Sequence, residues 1–108
     1  MTLYELETLL KQTGCPVARY EIRETKFPYI VYSELDMKYN HASGRAWREV
    51  TRVAADHYSK TLDDPSAEDL KMILLRNRIG FTVTVIYHPA DKIVQSAFEL
   101  FIVRELEA

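Results

Sequence analysis

The stretch FTVTVIY, residues 81–87, carries the strongest secondary-structure signal in the sequence. Aromatic and aliphatic residues recur at every second position, and two threonines lie between them. Strands have a side-chain period of two and favour such residues, so this stretch predicts a β-strand with one apolar face. After a turn at residues 88–91, residues 93–106 predict the last strand, with apolar residues on both faces. One of these faces belongs to the core, and the apolar character of the other needs an explanation.

A helix is predicted directly before this hairpin. Leu70 and Leu74 belong to an apolar stripe at helical spacing that follows the breaker stretch TLDDPSAED. Asp64 or Ser66 is suited to cap its first turn, and Gly80 is expected to close it.

A second helix is predicted at the N-terminus. Thr2 caps it, with Glu5 at the capping-box position three residues later. Leu6 and Leu10 lie on its apolar stripe, and Gly14 is expected to end it.

The central part of the chain contains one clear strand and one ambiguous stretch. FPYIVYSEL, residues 27–35, is rich in β-branched and aromatic residues and predicts a strand. Residues 36–46 lack a period and contain Asn40 and Gly44, so they predict a long loop. Residues 47–60 fit either a helix or a strand. We favour a strand for this stretch, because the breaker stretch TLDDPSAED follows it at once and a second helix must begin afresh after that.

Together these elements predict an α+β fold in the order α-β-β-α-β-β. The expected architecture is a mainly antiparallel four-stranded sheet with two helices packed on one face. The chain has 108 residues, 47% hydrophobic and 28% charged, which suits one globular domain over residues 1–108.

The composition argues against several function classes. Fourteen Lys and Arg against sixteen Asp and Glu give a formal net charge of −2, so specific nucleic-acid binding is not expected. A single cysteine, Cys15, excludes an intramolecular disulfide and a thiolate zinc cluster. No apolar run approaches the roughly 20 residues of a membrane span, and residues 1–10 lack signal-peptide features. A soluble protein made in the cytoplasm, with no membrane partner, is expected.

No catalytic motif is evident. The sequence has no glycine-rich phosphate loop, no elbow serine and no metal-binding histidine pair. His41, His57 and His88 are far apart and are interpreted as surface or turn histidines. Asp56 and His57 are neighbours in a strand, point to opposite faces and cannot form an acid–base dyad. We therefore predict no catalytic, cofactor-binding or metal-binding residue.

The surface is more informative. Tyr29, Tyr32, Tyr39 and Trp47 gather around the predicted loop, where they either anchor a partner or flank the sheet with hydrated polar tips. The two-faced last strand favours an interface. The predicted oligomer interface consists of Lys38, Tyr39, Asn40, Arg45, Trp47, Glu99, Phe101 and Val103.

Charged residues form two groups of opposite sign. Such patches suit a head-to-tail ring, and they are equally compatible with the solvated ends of a monomer. The basic group is Lys38, Arg45, Arg48 and Arg52, and the acidic group is Asp63, Asp64, Glu68 and Asp69.

Several segments occur in a characteristic order. They are the turn GCPV (14–17), the strand PYIVY (28–32), a polar loop with Tyr39 and Asn40, the stretch REVTRVAADHYSK (48–60), a helix with an acidic start (63–75), and then Gly80, Phe81 and a hairpin. In this order the chain resembles, over most of its length, the small tail-completion proteins of tailed bacteriophages and prophages. That class includes tail terminators and tail-to-head joining proteins. Ala54 and Ala55 depart from it, since bulkier strand residues are usual there.

The resemblance implies a non-enzymatic structural protein without cofactors. It would form a homo-oligomeric ring, often a hexamer, in contact with the tail tube or with neck and connector proteins of the virion. DNA would pass through the ring without specific binding.

Two other functions remain open from the sequence. One is a small ligand-binding regulatory α+β module, for which a ligand-dependent rise in melting temperature would be diagnostic. The other, ranked last, is a small nuclease or toxin-like enzyme that uses His57 or His41 with an arginine.

Overall fold

The computed structural model describes residues 1–21, 26–42 and 44–106, which form two helices and five strands. The expected α+β class is confirmed, and the ambiguous stretch is strand as far as Ser59. In chain order the elements are α1 (Leu3–Lys11), β1 (Val17–Arg19), β2 (Tyr29–Ala42), β3 (Arg45–Ser59), α2 (Pro65–Arg76), β4 (Gly80–His88) and β5 (Ile93–Glu105).

The sheet has five strands in the order β1-β2-β3-β5-β4, so the expectation of four strands was wrong. β1 is parallel to β2, and the other neighbours are antiparallel, which makes the sheet mixed. β1 has only three residues, too few for a side-chain period to be recognised in the sequence. It is held beside β2 by backbone hydrogen bonds, one of them from Ile30 N to Pro16 O at 2.9 Å.

The predicted helix starts are confirmed. The Thr2 side chain accepts a hydrogen bond from Glu5 N at the start of α1, and Asp64 accepts one from Ser66 N at the start of α2. These bonds satisfy backbone N–H groups that have no partner within a helix. Gly14 follows α1 with a φ of +82°, a left-handed conformation that favours glycine.

The predicted end of α2 was wrong. The helix stops at Arg76, and Gly80 is the first residue of β4. The Asn77 side chain donates to Ile73 O at 2.8 Å, and Arg78 takes the left-handed conformation that the sequence suggested for a glycine.

The prediction of a loop over residues 36–46 was also wrong, and it affects the longest stretch of sequence. Except for Ser43, which lies outside the described residues, and the turn residue Gly44, they belong to the β2–β3 hairpin. The β2 register shifts between Glu34 and Asp36, which leaves Leu35 as an extra, bulged residue. A bulge moves the following side chains to the other face. The apolar period of β2 is therefore interrupted, and the sequence looked irregular there.

Both helices pack on one face of the sheet, here called the covered face, as predicted. The opposite face, here called the open face, carries Val50, Arg52, Ala54, Asp56 and Tyr58 of β3. The core between helices and sheet is formed by Leu6, Leu10, Cys15, Ile30, Tyr32, Val53, Ala55, Leu70, Leu74, Ile79, Phe98, Leu100 and Ile102.

Candidate functional site

The sheet continues at one end as three strands only. β4 begins with Gly80 opposite Phe101, whereas β2, β3 and β5 run on beyond that row. We call this part the distal end. It comprises β2 from Asp36, β3 up to Arg52 and β5 from Phe101.

Seven of the eight predicted interface residues lie in the distal end, and Glu99 lies two residues before it on β5. Strand alternation and the bulge divide six of the eight between two faces, which the sequence did not predict. Lys38, Asn40, Glu99, Phe101 and Val103 lie on the open face and Tyr39 lies on the covered face, whereas Trp47 is the extra residue at the second register shift of the hairpin and Arg45 lies beyond that shift.

An ion-pair cluster organises the open face at the distal end. Arg52 Nη2 lies 2.9 Å from Asp36 Oδ2, and its Nη1 lies 3.2 Å from Glu99 Oε1. Asp36, Arg52 and Phe101 are cross-strand neighbours in one row of the sheet. The sequence analysis missed the Asp36–Arg52 pair because a predicted loop gives no cross-strand partner for Asp36. The two carboxylates raise the pKa of the Arg52 guanidinium above its usual value.

Large apolar side chains lie exposed around this cluster. Phe101 and Val103 are each 40% exposed. Val50 is the next residue of β3 on the open face, and Lys38 and Val103 are its cross-strand neighbours. The result is a shallow depression with a charged centre and an apolar border.

The covered face of the distal end extends past the helices. Near the hairpin turn Trp47 is 42% exposed, and the Arg48 guanidinium carbon lies 5.1 Å from the Trp47 ring centroid. On the covered face Arg104 Nη2 pairs with Glu49 Oε2 at 3.2 Å. The distal end therefore offers aromatic or apolar surface beside charged groups on the open face and near the hairpin turn.

Two of the four aromatic residues expected around the loop lie elsewhere. Tyr32 is buried in the core, and Tyr29 lies at the opposite end of the open face. The Tyr29 ring lies 5.1 Å from those of both Phe27 and Tyr58, and Lys60 Nζ lies 4.7 Å from the Phe27 centroid. Tyr39 and Trp47 are the members that do lie at the distal end.

His57, interpreted as a surface or turn residue, is fully buried under the start of α2. Its Nε2 lies 2.6 Å from Ser66 Oγ, and the Ser66 hydroxyl donates to Asp64. Since the serine proton is directed to Asp64, the Ser66 oxygen accepts from His57 Nε2–H. Burial lowers the pKa of His57, and the nearby Asp64 carboxylate opposes that shift.

This arrangement is not that of an activated serine. A general base must accept the proton of the nucleophile, whereas here the histidine donates and the carboxylate accepts. The three side chains instead fasten α2 to β3. The sequence held one signal for this, because His57 occupies an inward position of β3, in phase with Val53 and Ala55.

The other two histidines are separate. His88 Nε2 lies 2.8 Å from Gln95 Oε1, and His41 is exposed near the hairpin turn. Within residues 1–21, 26–42 and 44–106, no group of three or more His, Cys, Asp or Glu side chains is placed to hold a metal ion.

Comparison of the chain with protein-family models and with curated proteins gives no match. Neither helix in the described part of the chain is long and apolar enough to cross a membrane.

Proposed function

We propose that the protein is a non-enzymatic structural component of a tailed-phage or prophage virion, a ring-forming tail terminator or head–tail joining protein. The proposal rests on the resemblance of the sequence segments and on one structural observation. The residues predicted as an interface, which are far apart in the sequence, meet at the distal end of the sheet.

Exposed side chains at the distal end support an interaction role. Tyr39, Trp47, Phe101 and Val103 are each at least 40% exposed. Single exposed apolar residues are common, but a group of them beside charged residues is typical of protein–protein contacts. The aromatic members are residue types that often dominate binding energy.

The shape and the charges support head-to-tail association. The molecule measures 52 × 25 × 23 Å. Lys38 and Arg45 lie at the distal end, whereas Asp63 and Asp69 follow the other end of β3. Opposite charges at opposite ends allow the same two surfaces to meet around a closed ring. In this proposal the ring, often a hexamer in such proteins, contacts the tail tube or neck and connector proteins, and DNA passes through without specific contacts.

The mass in solution tests the ring. We expect light scattering coupled to size exclusion to show a concentration-dependent shift from the 12.6 kDa chain to a closed oligomer. Because the end-to-end contact is partly electrostatic, the oligomer should weaken as the salt concentration rises.

Two triple variants identify the surface that is used. Y39A/R45A/W47A truncates exposed side chains toward the hairpin turn, and K38A/F101A/V103A truncates exposed side chains of the open face. We expect at least one of them to abolish the ring while circular dichroism stays unchanged. If both variants still form the full ring, the distal end is not the ring interface. A wild-type chain that stays monomeric at all concentrations and melts higher with a small molecule would favour the ligand-binding module instead.

A further inference from the structure

The edge strand β4 is the least protected part of the sheet. It pairs with β5 from Gly80 to His88 in an unbroken register, and within the described residues no strand pairs with its other side. Residues 81–87 contain no charged residue and no proline. Natural edge strands usually carry a lysine, a proline or a bulge, or are very short, because an unprotected edge pairs with other strands.

The opposite edge of the sheet shows such protection. β1 covers β2 only from Ile30 to Tyr32. The uncovered part of β2 carries Glu34, Asp36 and Lys38 and has two register shifts. The two edges therefore differ, and among the described strands only β4 offers a long, neutral, regular edge for pairing.

β4 is also symmetric in residue class about Thr84. A valine lies on each side of Thr84, followed outward by the β-branched Thr82 and Ile86 and then by the aromatic Phe81 and Tyr87. In an antiparallel pair of identical strands centred on Thr84, valine meets valine and an aromatic ring meets an aromatic ring. Cross-strand pairs of these types stabilise sheets, and a neutral strand avoids opposing like charges.

We propose that β4 pairs antiparallel with β4 of a second copy of this chain, across a two-fold axis at Thr84. Two five-stranded sheets then join into one continuous sheet. Val85 and Tyr87, 61% and 53% exposed, come to lie opposite Val83 and Phe81 of the second copy. The contact does not depend on the proposed ring, because it uses an edge of the sheet rather than its ends.

Cysteine cross-linking tests the register. In T84C the two new thiols face each other across the axis, so mild oxidation should give a disulfide-linked dimer. The matched control is T82C, on the same exposed strand and the same face. Residue 82 lies opposite residue 86 of the other copy, which separates the two new thiols by about 13 Å, too far for a disulfide. Buried Cys15 is common to both variants.

Charge variants test the same axis without oxidation. T84K and T84E should each show a lower mass than wild type by light scattering at the same concentration, because like charges oppose each other at the axis and abolish the two-fold pair. An equimolar mixture should recover the wild-type mass. Circular dichroism of each variant controls for folding, and if a charge variant fails to fold, the cysteine pair decides.

The outcomes are decisive in both directions. Cross-linking of T84C but not of T82C supports the two-fold pair. Equal cross-linking of both variants, or of neither, overturns it, as does a T84K chain with the wild-type mass at every concentration. Y39A/R45A/W47A leaves β4 intact, so loss of the ring in that variant with retained T84C cross-linking separates the two proposals.

Discussion

Asp56 and His57 are neighbours in β3, yet the two faces of the sheet give them opposite surroundings. His57 lies beneath α2 and is fully buried, whereas Asp56 lies half-buried on the open face. Burial disfavours the charged form of both groups, so it lowers the pKa of the histidine and raises the pKa of the carboxyl. The comparison shows that one physical cause gives opposite pH responses on two faces of the same strand.

The two faces also differ in what holds them together. The covered face is sealed by side chains of α1 and α2, and its central residues are fully buried. The open face is not covered by either helix and uses ion pairs such as Arg52 with Asp36. Water is excluded from the core beneath the helices and reaches the open face. Substitutions should therefore act on stability at the buried core and on association at exposed positions of the open face.

The largest expected effect is that of Phe98→Ala on the covered face. Phe98 is 1% exposed and packs with Phe81 at 5.8 Å between ring centroids. Its removal leaves a cavity, and the free energy of unfolding should fall by about 3–5 kcal/mol. Phe101→Ala is the matched control, since it removes the same ring from the open face three positions along β5. Urea unfolding of both variants measures the contrast, and equal losses would contradict the distinction between the faces.

A smaller effect is expected from the pH response of His57. Burial lowers the pKa of His57 in the folded protein, so its effect on the free energy of unfolding is absent above the unfolded-state pKa of about 6.5. As the pH falls from there toward the folded-state pKa, the free energy of unfolding decreases. The unfolded chain takes up a proton that the buried imidazole resists. The loss approaches about 1.4 kcal/mol per pH unit in that window.

His57→Gln replaces the imidazole by an amide that can donate to Ser66 and cannot titrate. Urea unfolding between pH 7.5 and 5 should give a flatter profile for this variant than for wild type. His88→Gln is the control for the effect of replacing a histidine by glutamine, because His88 lies outside the core and its Nε2 contacts Gln95. Identical slopes for wild type and His57→Gln would mean that His57 is not the responsible group.

The smallest expected effect is that of Asp56→Asn on the open face. The raised pKa means that the stabilising contribution of Asp56 is present at low pH and is lost as the pH rises through the folded pKa. At neutral pH the variant removes a half-buried charge, so it should be slightly more stable, by up to about 0.5 kcal/mol. The difference from wild type should shrink as the pH approaches 4. If the stability of Asp56→Asn relative to wild type instead increases as the pH falls, the prediction is wrong.

The sequence predicted the parts of the fold that depend on local pattern. The caps at Thr2 and Asp64 and the alternating stretch 81–87 were recognised because a cap or a strand period involves only neighbouring residues. The prediction of a loop over residues 36–46 was wrong because the bulge at Leu35 shifts the alternation of side chains along β2. When the partner strand is unknown, such a shift looks like an irregular sequence.

The membership of the candidate interface stays a prediction, whereas the arrangement of its residues in the sheet was missed by the sequence. Exposed aromatic and charged residues could be selected from composition and position alone. Their division between the two faces depends on the register of β2 against β3 and of β3 against β5. His57 was missed for a related reason, because its burial depends on where α2 packs.

The sequence by itself determined where most helices and strands begin, their apolar faces and the neutral, symmetric character of β4. Those properties are set by side-chain size, shape and charge within a few residues. Only the tertiary structure decided the strand order, the parallel β1, the bulged register of the hairpin and the Asp64–Ser66–His57 contact. These features join residues that are distant in sequence, and their pairing is chosen by packing of the whole chain rather than by any local preference.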